Sequence, residues 1–146
     1  MQRVGLKEGM RVADIGCGTG NVSSMMASIV GLSGLVHGID MSSEQLDIAR
    51  SQATVLNLKN VEFTCGSAYD TKLPKEFFDL VYCRFLLMHL HQPVHALLEM
   101  RALLKPGGLL VCEEADFSTA FCQPSYKAHD RCYEMLIALA KERGSK

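Results

Sequence analysis

No stretch of the chain approaches the roughly 18 uninterrupted apolar residues that a transmembrane helix requires. The segment from Met1 to Met10 also lacks the apolar core of a secretory signal. A soluble, cytoplasmic protein with no membrane partner is the expectation. Charge of one sign is missing too: 15 basic against 16 acidic residues leave a formal net charge of −1. No global field therefore draws the chain toward nucleic acid or anionic lipid. The six cysteines, Cys17, Cys65, Cys83, Cys112, Cys122 and Cys132, include no C-x-x-C pair and no zinc-ribbon spacing. Cys65, Cys83 and Cys112 lie at or near the ends of apolar runs, where a free thiol acts as a small hydrophobe. Reduced thiols of a cytosolic protein are the expectation. Low-complexity segments, charge blocks and internal repeats are absent as well.

What is present is an alternation of short apolar runs with longer helical patterns, in 146 residues that suit one domain. The runs are Arg11–Ile15, Leu35–Asp40, Asn60–Cys65, Phe78–Cys83 and Gly108–Glu114. They are rich in Val, Ile, Leu and Phe and bounded by turn residues, as buried strands are. Helical spacing covers Asn21–Val30 through Met25, Met26, Ile29 and Val30. Ser42 and Gln45 form a capping-box pattern that opens a helix running to about Leu56, with Asn57 suited to a left-handed end. Pro93 opens a further helix whose apolar stripe is Ala96, Leu97, Met100, Leu103 and Leu104. Lys105-Pro106-Gly107-Gly108 turns it into the fifth strand. A last helix spans about Pro124–Arg143, with Cys132, Met135, Leu136 and Leu139 on its apolar face.

Strand alternating with helix predicts an α/β fold, a three-layer doubly wound and mostly parallel sheet covered on both faces. The right-handed crossover rule favours the Rossmann-like order 3-2-1-4-5. Ligands of such sheets bind at the carboxyl ends of the strands, beside strand 1.

There strand 1 runs into Asp14-Ile15-Gly16-Cys17-Gly18-Thr19-Gly20. Glycines let the backbone turn tightly and approach a ligand. A glycine-rich turn after a strand is weak evidence by itself, because many nucleotide enzymes share it. The spacing here is G-x-G-x-G, and Asn21 stands where a dinucleotide fingerprint requires its third glycine. Asp14 would repel a pyrophosphate, whereas it favours a ligand carrying an ammonium and a sulfonium. Asp40 ends strand 2, about 20 residues beyond the loop, where an acidic side chain accepts from ribose hydroxyls. Met41 follows it, placed to lie against an adenine face. Each of the three has an idle alternative, Asp14 and Asp40 as turn residues and Met41 as core. All three idle together at these offsets is the weaker reading.

Four segments now resemble the motifs of class I S-adenosylmethionine-dependent methyltransferases. Val12 to Gly20 resembles the first motif and Gly38-Ile39-Asp40-Met41-Ser42 the second. Phe77 to Phe85 resembles the fourth and Leu104-Lys105-Pro106-Gly107-Gly108 the fifth. The resemblance spans roughly residues 4 to 116, in the family's order, and is nearest in character to the ubiquinone and menaquinone branch. It implies S-adenosylmethionine as cofactor and a small-molecule methyl acceptor. It further implies that Gly16, Cys17 and Gly18 back the methionine moiety, with Asp14 toward its amino group. Asp40 would hold the ribose and Met41 the adenine. Ser67, Ala68 and Tyr69 would surround the adenine edge, and Cys83, Arg84 and Phe85 would close over the cofactor. Ser67 departs from the pattern, because many relatives place an aspartate there to accept from the adenine amino group.

Methyl transfer from a sulfonium is an in-line displacement that alignment alone can accelerate strongly. A protic acceptor can also need a general base, for which His89 is the first candidate. Its alternative is an orienting histidine on a helix. Tyr69 and the acidic cluster Glu113, Glu114 and Asp116 are further candidates. Glu113 and Glu114 alternate sides if the strand continues, so at most one faces the pocket. His89, His91 and His95 do not predict a metal site, because Pro93 starts a new helix between them.

Relatives of this kind carry more sequence before strand 1 and two further strands after the fifth helix. The expectation is therefore a single cofactor-binding core over residues 1–146 that is a fragment or shortened form, Met1 being an internal methionine of a parent. It also predicts an unpaired strand 5 edge open to self-association. Three competing functions remain. A non-catalytic module or truncated partner subunit that binds the cofactor is the second reading. A nicotinamide-dependent oxidoreductase is the third, disfavoured by Asp14 and Asn21. A nucleic-acid methyltransferase is weaker still: no basic stripe is present, and Arg84-Phe85-Leu86-Leu87 is not the Asn/Asp-Pro-Pro-aromatic grip of that class.

Overall fold

Among the described residues, apolar β-branched runs bounded by turn residues settle into five parallel strands: β1 (Arg11–Ile15), β2 (Leu35–Asp40), β3 (Val61–Cys65), β4 (Phe78–Arg84) and β5 (Leu104–Glu113). The computed structural model describes residues 4–115 and 122–142. All strand pairs are parallel and the order is β3-β2-β1-β4-β5, the doubly wound arrangement. Among the described residues four α-helices connect or follow the strands: α1 (Asn21–Val30), α2 (Ser43–Val55), α3 (Pro93–Leu103) and α4 (Lys127–Glu142).

The period of two along a strand sends neighbouring residues to opposite layers. Val12, Val36, Leu80 and Tyr82 pack with Met26, Ala27 and Val30 of α1. Ala13, Ile15, Ile39, Val81 and Cys83 pack with Ala96, Met100 and Leu103 of α3. Each large aliphatic side chain so buried contributes about 1.5–3 kcal/mol. Cys83 belongs to this core. Burial first, then its cross-strand neighbour Cys112, pushes its thiol well above the usual range, so it stays a protonated hydrophobe. All six cysteines are free thiols.

Local signals resolve as caps. Ser42 precedes α2 and its hydroxyl accepts from the Gln45 N–H at 3.3 Å. Only half of the capping box forms, because the Ser42 N–H donates to Asp40 instead. Asn57 takes the left-handed conformation, φ 53°. Pro93 is the first residue of α3. The third strand begins one residue later than Asn60, whose side-chain amide donates to Ala27 O and Gly31 O at 2.8 and 2.7 Å and closes the end of α1.

Strand 5 begins earlier than its sequence suggests. Leu104 already pairs with Phe78, and the next pairing joins Leu109 to Leu80, so Lys105–Gly108 bulge out within β5. Gly107, at φ 80°, supplies the left-handed turn. The last helix starts at Lys127, not Pro124. Met135, Leu136 and Leu139 on its apolar face are exposed, and Arg143 lies outside the described residues. Among the described residues β3 and β5 form the two edges of the sheet, and no helix is long and apolar enough to cross a membrane.

Gly20 joins the loop to α1 at φ 76°, and a Cβ there would sit 2.7 Å from Ala49 Cβ and 2.9 Å from Phe63 Cζ. Gly20→Ala therefore combines a left-handed alanine with overpacking against two rigid neighbours. Thermal denaturation should show a loss of about 2–4 kcal/mol, and an unchanged midpoint would contradict this packing.

Candidate functional site

Strand 1 delivers Asp14 to the carboxyl edge of the sheet, in register with Gly38 of β2 and Tyr82 of β4. The loop Gly16–Gly20 turns there on three left-handed glycines, Gly16, Gly18 and Gly20. Its geometry is held by long-range bonds. Gly16 N–H and Cys17 N–H both donate to Ile39 O, at 2.8 and 2.9 Å. Gly18 N–H donates to Asp40 Oδ2 at 2.8 Å, and Ser42 N–H to Asp40 Oδ1 at 3.0 Å. Asp40 thus ties the glycine loop to the turn after β2.

The result is a cleft of about 220 Å³ lined by Asp14, Gly16, Cys17, Gly18, Thr19, Asn21, Val22, Gln45, Tyr82, Arg84 and Phe85. A larger depression of about 630 Å³ lies along α1 and α2, but Asp47 is its sole ionisable lining residue and it contains none of the loop. Chemistry concentrates in the smaller cleft.

Asp14 is the electrostatic centre of that cleft. It is 2% exposed, and its Oδ2 accepts from the Ser23 hydroxyl at 2.5 Å. Burial raises its carboxyl to about 6; Ser23 and Arg84 oppose the rise and Asp40 adds to it. A buried carboxylate so placed favours an arriving cation. Arg84 brings the opposite charge to the same wall, so the cleft offers a carboxylate and a guanidinium together, as a zwitterion requires. Burial, then the nearby Asp14 carboxylate, pushes the Cys17 thiol far up. Cys17 is accordingly a neutral contact and not a nucleophile. The Tyr82 hydroxyl donates to Glu113 Oε2 at 2.5 Å, and burial followed by that bond raises its phenol above the usual range.

Of the expected site residues, Asp14, Gly16, Cys17, Gly18, Arg84 and Phe85 come together in the cleft. Asp40 borders it through the Gly18 bond. Met41 is 74% exposed beside Asp40. Cys83 does not face the cleft; its side chain points into the α3 layer, because strand alternation turns it away from Tyr82 and Arg84. Ser67, Ala68 and Tyr69 lie apart from the cleft lining: Ala68 is core, and the Ser67 hydroxyl accepts from Tyr69 N–H at 3.2 Å. Tyr69 stacks on His95 with ring centroids 5.6 Å apart, and its hydroxyl accepts from Gln92 N–H. His89 ends a 3-10 turn, Leu87–His89, and is exposed outside the cleft lining.

Thr19, Asn21, Val22, Gln45 and Tyr82 line the cleft without having been expected there. Tyr82 was legible as the residue two before Arg84, on the same face of one strand. Gln45 was legible only as a helix cap; its Oε1 would lie 2.8 Å from a Cβ on Gly18. Glu113 and Glu114 both take up local duties. Glu113 holds Tyr82, and Glu114 Oε1 accepts from Leu86 N–H and Leu87 N–H.

Fold and cleft together define a doubly wound domain whose carboxylate- and guanidinium-bearing cleft lies at the loop between β1 and α1. The comparisons narrow the class. Residues 6–144 match the family model of the methyltransferase domain. The chain is 38% identical over 112 residues to the demethylmenaquinone methyltransferase of Listeria monocytogenes, covering 77% of this chain and 47% of that protein. A solved structure, a SAM-dependent methyltransferase from Aquifex aeolicus, superposes with a TM-score of 0.77 at 27% identity, over 98% of this chain and 76% of that one. Another, the [4+2]-cyclase SpnF, gives a TM-score of 0.67 at 33% identity, over 73% of this chain and 39% of that one. The chain belongs to the class I S-adenosylmethionine-dependent methyltransferase family. It spans about half the length of the curated relatives it matches.

Proposed function

We propose that this chain is the cofactor-binding core of an enzyme that transfers the methyl group of S-adenosylmethionine to a small molecule. The observation that carries the reading is the buried Asp14 carboxylate in one cleft with Arg84 and the left-handed glycine loop Gly16–Gly18. A cationic ligand beside that carboxylate fits the arrangement, and a dinucleotide pyrophosphate does not.

In this reading Asp14 takes the ammonium of the methionine moiety and Arg84 its carboxylate. Asp40 accepts from ribose hydroxyls with lone pairs left over from its two amide bonds. Met41 covers the adenine, and the loop Gly16–Gly18 backs the ligand. When bound, S-adenosylmethionine supplies a methyl group on a sulfonium, a good leaving group. The residues of the chain contribute binding and alignment, and the wall of Tyr82 and Phe85 excludes water. His89, exposed on its turn, serves at most an acceptor that needs a base. The demethylmenaquinone methyltransferases among the relatives support a small, apolar acceptor. A second reading is a module that binds the cofactor without methyl transfer; one structural neighbour at 33% identity is named for a cyclase activity instead of methyl transfer.

Calorimetric titration with S-adenosylmethionine, S-adenosylhomocysteine and NAD tests the pocket. Binding of both adenosyl ligands and not of NAD is the expected result; NAD binding alone would overturn it. Transfer of labelled methyl to a panel of quinol and phenol acceptors then separates the two readings. Binding without transfer to any acceptor favours the second.

A further inference from the structure

The segment that follows β4 is held in an uncommon conformation at the mouth of the cleft. Phe85, whose side chain lines the cleft, takes φ 53°. For a bulky side chain this is an outlier that persists only where the surroundings over-determine it. Three bonds do so here. Phe85 N–H donates to Glu113 O at 2.9 Å, continuing the sheet one residue beyond β4. The next two amides, Leu86 N–H and Leu87 N–H, both donate to Glu114 Oε1, at 3.1 and 2.9 Å. They are the first amides of the 3-10 turn, which its own bonds leave unsatisfied. The turn then closes on itself through His89 N–H to Leu86 O. Leu86, so fixed, lies against Gly16, its Cδ1 3.0 Å from where a Cβ would stand. The Glu113 carbonyl therefore holds Phe85, and the Glu114 carboxylate just after β5 holds the two amides that follow, so that Phe85 and Leu86 flank the glycine loop.

We propose that Glu114 is a positioning residue of the cofactor site: it clamps the turn after β4 so that Phe85 and Leu86 close over the glycine loop. This deepens the methyltransferase reading and rests on it. The clamp acts through reach, not charge. Two amides converge on one oxygen, and a glutamine oxygen at the same distance accepts from both. An aspartate keeps the charge and loses a methylene of reach.

Three variants of the full chain test it: Glu114→Gln, Glu114→Asp and Glu114→Ala. Each is titrated with S-adenosylhomocysteine, and amide hydrogen exchange is followed without ligand. We expect Glu114→Ala and Glu114→Asp to weaken binding about tenfold and to speed exchange at Leu86 and Leu87 while β1 and β2 keep their protection. Glu114→Gln should stay within about twofold of the parent in affinity and keep slow exchange. Loss in Glu114→Gln with retention in Glu114→Asp would make the effect one of charge and overturn the clamp. Unaltered affinity and exchange in Glu114→Ala would overturn it too. If the parent chain fails to bind the ligand, the methyltransferase reading falls first. The exchange pattern then judges the clamp by itself: unchanged rates at Leu86 and Leu87 in Glu114→Ala would sink it.

Discussion

Replacing Asp14 with asparagine should make the ligand-free chain more stable at neutral pH and weaken its hold on S-adenosylhomocysteine. Both effects come from one buried group. The Asp14 carboxyl rises from 3.8 to about 6 because folding removes it from water, and the Ser23 hydroxyl and Arg84 offset only part of that. Between those two values the folded chain holds a proton that the unfolded chain has released. The contribution of Asp14 to stability therefore falls as pH rises through this window, and its cost is complete above about pH 7. A shift of this size corresponds to roughly 2–3 kcal/mol. Asparagine keeps an acceptor for Ser23 and avoids the buried charge. Its advantage should vanish near pH 4 and reach a plateau above about pH 7, with a midpoint higher by roughly 4–10 °C.

Ligand binding should move the other way. A carboxylate that meets an ammonium is worth about 1.5–3 kcal/mol, so Asp14→Asn should lose roughly ten- to a hundredfold in affinity. In the parent chain affinity should also fall about tenfold per pH unit below about 6, as Asp14 takes up its proton, while the variant stays flat. Thermal melts and titrations across pH check both halves. A variant less stable than its parent at pH 8 would show that Asp14 is paired more strongly than its surroundings indicate.

The second large effect belongs to Asp40. Its two oxygens accept from Gly18 N–H and Ser42 N–H, so the residue organises the loop before any ligand arrives. Asp40→Ala should therefore act twice. Affinity for S-adenosylhomocysteine should drop ten- to a hundredfold from lost ribose contacts, worth about 1.5–3 kcal/mol. The ligand-free chain should also melt lower, by about 2–4 °C for each kcal/mol that the two amides lose. Asparagine at the same position keeps one acceptor for the amides and should recover part of each loss. A folded Asp40→Ala with unchanged affinity would remove the strand 2 end from the site.

Most of the architecture was legible because it is written locally. Short β-branched runs, a Ser–Gln cap, a proline at a helix start and asparagine in a left-handed end each act within a few residues. β1, β2 and α1 therefore fall where the pattern places them. The errors sit where distant chain decides. The start of β5 moved to Leu104 because Phe78 offers it a pairing partner and Gly107 lets the intervening residues bulge. Asn60 left the strand because the open carbonyls at the end of α1 recruit its amide.

The site divides along the same line. The sequence by itself determined the glycine loop, Asp14 before it, Asp40 at the end of β2 and the doubly wound order, since these follow from backbone freedom, charge and alternation. Only the tertiary structure decided which side chains meet. Parallel register sets Tyr82 against Asp14 and sends Cys83 into the opposite layer. The crossing of α2 brings Gln45 to Gly18, and the pairing of β4 with β5 puts Glu114 under the turn after β4. Contacts between residues dozens of positions apart depend on strand register and helix docking, which are minima of the whole packed core and leave no mark on any one segment of the chain.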